Sequence, residues 1–299
     1  MTAGNDMKHK YFILGSNGLL GSYCYRYLKG TGSEVFGISK SSGECTDEIM
    51  DMAKDLGRLK ELIKKHKPDV LINCVKFKGS TDECEQNKEA CWQLNAELPL
   101  RLAKLQQEMG FAIVHLSTHW VYEGKVGTSY SEEGIPYPVN FYSFSKYMGE
   151  IYTTAFAKGY IVLRVEGLFG FEKEPRNIMA RVIGNLANGK QVQAANDQFS
   201  RPVSALECAK LIEFIVNKGV QNKTFLAGGK EYVSRYQLAC KVAEFFKLDK
   251  SKIIPVSSTG RSIRIPQHLD VSLARIRGIG YAPKSVEDML LELARLNKL

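Results

Sequence analysis

Tyr11-Phe-Ile-Leu-Gly-Ser-Asn-Gly-Leu-Leu-Gly21 is the stretch on which the fold turns. The apolar run Tyr11 to Leu14 breaks directly into glycine, and from Leu19 to Leu28 apolar residues recur at helical spacing, so a strand, a turn and a helix follow one another. The turn carries Gly15, Gly18 and Gly21, with Asn17, Leu19 and Leu20 beside them. Residues without a Cβ let the chain turn sharply, let its backbone approach a pyrophosphate and let the helix pack on the strand. The new helix then presents free N–H groups to the anion. Glycines also collect in purely structural turns, but a trio between the first strand and the first helix points to a dinucleotide.

The pattern continues outward. Ser33 to Ile38 reads as a second strand, Arg58 to His66 as a helix and Asp69 to Asn73 as a buried strand. Ala90 to Met109 reads as one long helix, Phe111 to Leu116 as a strand, Phe144 to Lys158 as a helix and Tyr160 to Val165 as a strand. Such alternation predicts an α/β fold with a doubly wound parallel sheet. Beyond Arg164 it loosens: Asn177 to Asn188, Leu206 to Val216, Arg235 to Phe246 and Ser285 to Leu296 read as helices, and Thr224 to Ala227 as a strand. The expected division is a dinucleotide-binding domain over 8–165, rejoined by parts of 191–230, and a smaller substrate lobe over 166–299.

Composition narrows the field. With 299 residues, 44% hydrophobic and 24% charged, the chain can bury a full core. No run is apolar enough to span a membrane, and the start Met1 to Lys10 is too polar for a secretion signal, so a cytoplasmic protein is expected. The seven cysteines, at 24, 45, 74, 84, 91, 208 and 240, include no C-x-x-C pair; they read as reduced thiols, with neither a disulfide framework nor a zinc site. The net charge of +9 is spread along the chain. Its densest cluster, Lys60, Lys64, Lys65 and Lys67, suits a solvated helix end, so neither nucleic acid nor a membrane is expected as a partner.

The end of the second strand bears on the cofactor. An acidic residue there holds the ribose 2′-hydroxyl of NAD, whereas this strand ends Gly37-Ile-Ser39-Lys40. A hydroxyl and a cation suit the 2′-phosphate of NADPH, with NADH as the lesser alternative.

A reductase must give a proton to the carbonyl oxygen as hydride reaches the carbon. Tyrosine becomes a usable acid when a neighbouring cation favours its phenolate. Tyr142 and Lys146 lie one helical turn apart on one face. Tyr25 and Lys29 repeat the spacing, but in the helix after the glycine turn, where packing is expected. Ser117-Thr118 ends a strand at the carboxyl edge of the sheet, where ligands of such folds bind. Thr118 would hydrogen-bond the substrate carbonyl, Tyr142 would donate the proton, and Lys146 would hold the nicotinamide ribose and lower the tyrosine pKa. His119 reads as an added acid, a sugar ligand or a polar strand end, and Trp120 as a sugar platform or core. Arg201 and Arg264, each near a proline, suit a diphosphate as well as a surface ion pair. Asp82 and Glu85 are expected to cap a helix rather than act as a catalytic pair.

Gly15-x-x-Gly18-x-x-Gly21, Lys67-Pro-Asp-Val-Leu-Ile-Asn73, Asp82-x-x-Glu85, Asn95-Ala96, Ser117-Thr118-x-x-Val121-Tyr122, Tyr142-x-x-x-Lys146, Arg164 and Asn196-Asp-Gln-Phe199 occur in that order. Together they resemble the dTDP-4-dehydrorhamnose reductase family of Rossmann-type extended short-chain dehydrogenases, over nearly the whole chain. The resemblance implies NADPH-dependent reduction of the 4-keto group of a nucleotide-linked deoxysugar, with Asp51 and Met52 against the adenine and Cys74, Val75 and Lys76 lining the cofactor. It also marks departures. His119-Trp120 stands for an Asp-Tyr pair, Glu166-Gly167 ends what is usually Arg-x-x-Trp, and Lys76 stands where a small residue is usual. The first two changes fall at sugar-facing positions and Lys76 where the backbone would approach the cofactor, so a different keto sugar is allowed. Tyr23 replaces a glutamate implicated in metal-bridged dimers of some relatives, so no metal is expected and a homodimer stays open. Two alternatives share the fold: a sugar-nucleotide epimerase, and a non-catalytic NADP-binding regulatory subunit resembling the β-subunit of methionine adenosyltransferase.

Overall fold

Apolar runs with no polar alternation must be covered on both faces, and the strands here are of that kind: every residue of Tyr11–Leu14 and of Val70–Asn73 is buried. The computed structural model describes residues 8–297; the polar start read above as no secretion signal, and the last two residues of the expected substrate lobe, lie outside them. In chain order the first elements are β1 (Lys10–Leu14), α1 (Leu19–Gly30), β2 (Glu34–Ser39), β3 (Glu48–Ile49), α2 (Leu56–His66) and β4 (Val70–Asn73). Next come α3 (Thr81–Gln86), α4 (Lys88–Trp92), a π-helical turn (Gln93–Glu97), α5 (Leu98–Met109), β5 (Ala112–Thr118), β6 (Ser129–Tyr130), α6 (Phe141–Phe156) and β7 (Tyr160–Val165). The remainder holds α7 (Ile178–Ala187), β8 (Val192–Ala195), β9 (Phe199–Ser200), α8 (Ala205–Asn217), β10 (Lys223–Ala227), β11 (Val233–Ser234) and α9 (Arg235–Phe245). It closes with β12 (Ile253–Val256), β13 (Asp270–Val271), α10 (Ala274–Gly278) and α11 (Val286–Leu296).

One seven-stranded sheet has the order β10-β7-β5-β4-β1-β2-β3, the doubly wound Rossmann-type arrangement that the alternation predicts. The pairs β1–β2, β1–β4, β2–β3 and β4–β5 are parallel. Strand order reverses between β1 and β4, which makes their carboxyl ends the switch point where such sheets bind ligands. Two compact units share the chain. The first runs up to Ser117 and adds Ser145–Leu163 and Ala209–Thr224; the second takes Thr118–Phe144, Arg164–Cys208 and the chain from Phe225. Among the described residues no helix is long and apolar enough to cross a membrane. Lys64 and Lys65 occupy the last turn of α2, and Lys67 caps it in the left-handed region.

Three sequence expectations change. The long helix expected over Ala90 to Met109 is interrupted by the π turn, in which the Leu98 N–H bonds the Gln93 carbonyl. Pro99 is the physical reason: it has no N–H to offer the Asn95 carbonyl, so the ordinary ladder fails there. Asp82 and Glu85 lie inside α3, and its cap is Ser80, whose hydroxyl accepts from the Glu83 N–H while the Glu83 carboxylate accepts from the Ser80 N–H. Cys84 and Cys91, expected as reduced thiols, are joined in a disulfide across seven residues of sequence. Two short helices folded on each other bring the pair together without any C-x-x-C spacing.

α6 approaches the π turn closely. A Cβ on Gly149 would lie 2.2 Å from the Asn95 carbonyl oxygen and 3.2 Å from the His115 ring, so only glycine fits. Gly149→Ala is expected to lower unfolding free energy by roughly 1–3 kcal/mol through overpacking. Gly184→Ala, in α7 where a new Cβ meets nothing within 4 Å, is expected to raise it by up to about 1 kcal/mol. Urea unfolding of both variants beside the parent checks the pair, and equal loss at the two sites would contradict the close approach.

Candidate active site

The glycine turn of the first unit is shaped by what its residues lack. Gly15 has φ +75°, donates to the Ile38 carbonyl at 2.8 Å, and would place a Cβ 3.2 Å from the Cys74 backbone. A Cβ on Gly21 would stand 2.2 Å from the Gly15 carbonyl oxygen, so this glycine sets how tightly α1 begins. Gly18, the residue before α1, is extended, and no side chain caps the helix. The first N–H groups of α1 are therefore left for an anion, the cradle a dinucleotide pyrophosphate needs. The Ser16 hydroxyl is buried beneath it without a hydrogen-bond partner. Leu19 is partly exposed and Leu20 buried.

Asn17 donates its side-chain amide to the Ser41 carbonyl at 2.8 Å, and Gly43 passes against the same side chain. The loop after β2 is thereby folded over the turn, a contact that sequence reading did not provide. Ser39 is nearly buried at the end of β2, whereas Lys40 is exposed and pairs with Asp51 at 3.0 Å. That pairing, with the Ala53 N–H, holds the Asp51 carboxyl below the usual carboxylate range. Met52 is buried in the apolar core of this unit.

At the end of β4 the Cys74 N–H bonds the Leu14 carbonyl at 3.0 Å and the Val75 N–H bonds the Asn73 side chain at 3.1 Å. Lys76 turns its ammonium onto the Phe77 carbonyl at 3.1 Å. Lys146, on α6, is buried and donates to the Leu116 carbonyl at 2.6 Å. Burial first, and then the neighbouring Lys76 charge, lower its pKa to about 8, with Glu150 pulling the other way.

The second unit holds the remaining candidates. Thr118 ends β5, and its hydroxyl accepts from the Trp120 N–H at 3.1 Å and bonds the Tyr142 phenol. Burial, then the Glu166 carboxylate, raise the Tyr142 pKa, and the Thr118 hydroxyl lowers it. Trp120 sets its ring edge-on to Tyr142, with centroids 5.9 Å apart. Burial pushes the Glu166 carboxyl up, while Arg235, the Gly167 N–H and the Trp120 indole pull it down. Gly167 needs its positive φ of 62°, and a Cβ there would press on Pro202.

His119 is fully buried beside Arg164, and burial together with that cation lowers its pKa to about 3. An imidazole so held is uncharged at neutral pH, which speaks against the added acid among its three readings. Arg201 pairs with Asp270 at 2.8 Å and also donates to the Lys230 carbonyl. Arg264 pairs with Glu123 at 2.8 Å. Sequence reading missed Arg235, which faces Glu166 in company with Arg181 and Arg261. A signal existed: an arginine directly after the helix cap Ser234 sits against the helix dipole, so it calls for an anionic partner.

Residues 9–285 match the sequence model of the RmlD substrate binding domain. The probable low-salt glycan biosynthesis reductase Agl14 of Haloferax volcanii is 26% identical over 291 residues, covering 94% of this chain and 96% of its own. Methionine adenosyltransferase 2 subunit beta of Xenopus laevis is 27% identical over 278 residues, covering 90% of this chain and 82% of its own. A dTDP-4-dehydrorhamnose reductase from Bacillus anthracis, solved in complex with NADP, superposes with a TM-score of 0.85 at 21% identity, over 96% of this chain and 99% of that one. A hypothetical dTDP-4-dehydrorhamnose reductase from Sulfolobus tokodaii is 30% identical with a TM-score of 0.78, over 90% and 94% of the two chains. The chain thus belongs to the RmlD family, the dTDP-4-dehydrorhamnose reductase-like group of extended short-chain dehydrogenases.

Proposed function

We propose that this protein reduces the 4-keto group of a nucleotide-linked deoxysugar with NADPH. The observation that carries the reading is the bond between Tyr142 and Thr118, on a helix whose next turn brings Lys146 with its ammonium fixed on the Leu116 carbonyl. When bound, NADPH would supply the hydride. Gly15, Gly18 and Gly21, with Asn17, Leu19 and Leu20 around them, would give their backbone to its pyrophosphate. Ser39 and Lys40 would take the 2′-phosphate, Asp51 and Met52 the adenine side, and Cys74, Val75, Lys76 and Lys146 the rest of the dinucleotide.

The sequence leads to a Tyr142 pKa lowered by Lys146; in the structure burial and the Glu166 carboxylate raise it instead, which keeps the phenol protonated, and the Thr118 hydroxyl is the group that lowers it. Thr118 orients the substrate carbonyl, and the Tyr142 O–H bond breaks as that oxygen gains its proton. The phenolate charge that remains would be met by the Thr118 hydroxyl, the group that lowers the Tyr142 pKa. Trp120, Glu166 and Gly167 are assigned to the sugar, with His119 supporting them from beneath, and Arg201 and Arg264 to the diphosphate.

A second reading has support from the relatives named methionine adenosyltransferase 2 subunit beta: a regulatory subunit that binds NADPH without turnover. NADPH oxidation on a panel of nucleotide-linked 4-keto sugars separates the two, because only a reductase consumes the nucleotide. The same assay separates a reductase from an epimerase, which restores its cofactor in each cycle.

Tyr142→Phe is expected to lower kcat by roughly 10²- to 10⁴-fold while changing NADPH affinity little, and full turnover in this variant would end the mechanism. Lys40→Ala is expected to raise the KM for NADPH by about tenfold and leave that for NADH unchanged; an unaltered KM would remove the assignment of the 2′-phosphate. Lys146 loses its proton near pH 8, so activity that needs the ammonium falls as pH rises through that value. Removing a neighbouring cation raises the pKa, so Lys76→Ala is expected to move the alkaline limb of the kcat profile to higher pH. A limb that stays in place would show that Lys76 does not act on Lys146.

A further inference from the structure

Cys84 in α3 and Cys91 in α4 are both fully buried, although the residues between them are partly or fully exposed. Their disulfide therefore pins a short, largely solvated segment to the body of the first unit. Cys91 also accepts from the Asn95 amide at 3.2 Å and lies 3.4 Å from the Ser145 hydroxyl. The same amide donates to Ser145 at 3.0 Å, and the Asn95 side-chain oxygen Oδ1 accepts the Phe77 N–H at 2.9 Å. One buried side chain thus joins the disulfide, the residue before Lys146 and the loop that leaves β4. At its far end that loop is fastened to α3, because the Ser80 N–H is bonded by Glu83 at 2.6 Å. The middle and the far end of the segment 74–80 that follows β4 are consequently set by parts that the disulfide holds together, while its near end is fixed to β1 through the Leu14 carbonyl.

We propose that Cys84 and Cys91 form a reversible thiol–disulfide site whose state sets the order of loop 74–80. Reduction needs two electrons and two protons, which a dithiol supplies. Its thiolate attacks one sulfur, the other leaves as a thiolate and takes a proton, and the second thiol of the reductant displaces the mixed disulfide, so the reductant ends as a disulfide. The products on this chain are two thiols, and a disulfide of the same class reverses the step. Freed of the link, helices of six and five residues are too short to hold themselves, and the Cys91 S–H becomes a new donor competing for Ser145. The Asn95 amide then loses a fixed partner, and with it the Phe77 N–H loses a fixed acceptor. Local opening of so exposed a segment also gives the reductant its way in.

The consequence for cofactor binding rests on the reading of the glycine turn given above, so the first readout omits the cofactor. Hydrogen exchange is measured on the whole protein, as isolated and after dithiothreitol treatment, with thiols counted by alkylation under denaturing conditions. Five alkylated cysteines are expected before reduction and seven after it. Exchange over 74–80 and 81–92 is expected to rise about tenfold on reduction, and that of α1 to stay unchanged. A Cys84→Ser/Cys91→Ser double variant should show the reduced pattern with or without dithiothreitol, and the wild-type comparison stands if this variant fails to fold. NADPH titration should then give about fivefold weaker binding to the reduced protein. Seven thiols before reduction, or unchanged exchange at 74–80, overturns the proposal. Exchange that responds in a protein that binds NADPH in neither state upholds the switch and removes the cofactor reading instead.

Discussion

A lysine ammonium can be kept inside a protein only if its environment returns what water would have given, and Lys146 imposes that condition on the first unit. Its charge is met by the Leu116 carbonyl at the end of β5, so α6 must lie against that strand at one height and one rotation. Gly149 and Thr153 follow on the same helix. The first has no side chain, which lets α6 close to within contact of Asn95; the second returns its hydroxyl to the Gly149 carbonyl at 2.8 Å. Asn95 and Ser145 then complete a polar layer between the π turn and α6. Each piece satisfies a group that burial would otherwise leave unpaired.

Polar burial follows a different logic in the second unit. Arg164 lies over the Tyr122 ring, 5.1 Å from its centroid, and Tyr122 stacks on Tyr130. Glu166 stands two residues on, facing Arg235, and its field reaches Tyr142.

Strand positions and the glycine turn were legible because their causes are local: an unbroken apolar run, a residue with no Cβ, a helical period. Tyr142 and Lys146 could be paired for the same reason, since one turn of helix separates them. What escaped the sequence depends on partners distant along the chain. Nothing near Cys84 announces Cys91 as its mate, and nothing near Asn95 tells that Gly149 will crowd its carbonyl. Of the three readings of His119 only the added acid depends on titration near neutrality, and the burial beside Arg164 that bears on it has no local signature in the sequence. Arg201 and Arg264 suited a diphosphate as well as an ion pair, and the ion-pair partners, Asp270 and Glu123, lie too far along the chain for the sequence to name them.

The π turn at Gln93–Glu97 has an implication for how this chain could change by descent. Such a turn is one residue wider than an α-helical one, so loss of a single residue there would mend the helix in hydrogen-bonding terms. Because the wide turn absorbs its extra residue locally, the segments on either side would keep their facing, and Cys91 with α3 would stay where they are. The cost would fall inside the turn itself, where the Asn95 carbonyl is pressed against Gly149. A deletion neutral for the helix would therefore be felt only by what leans on the bulge.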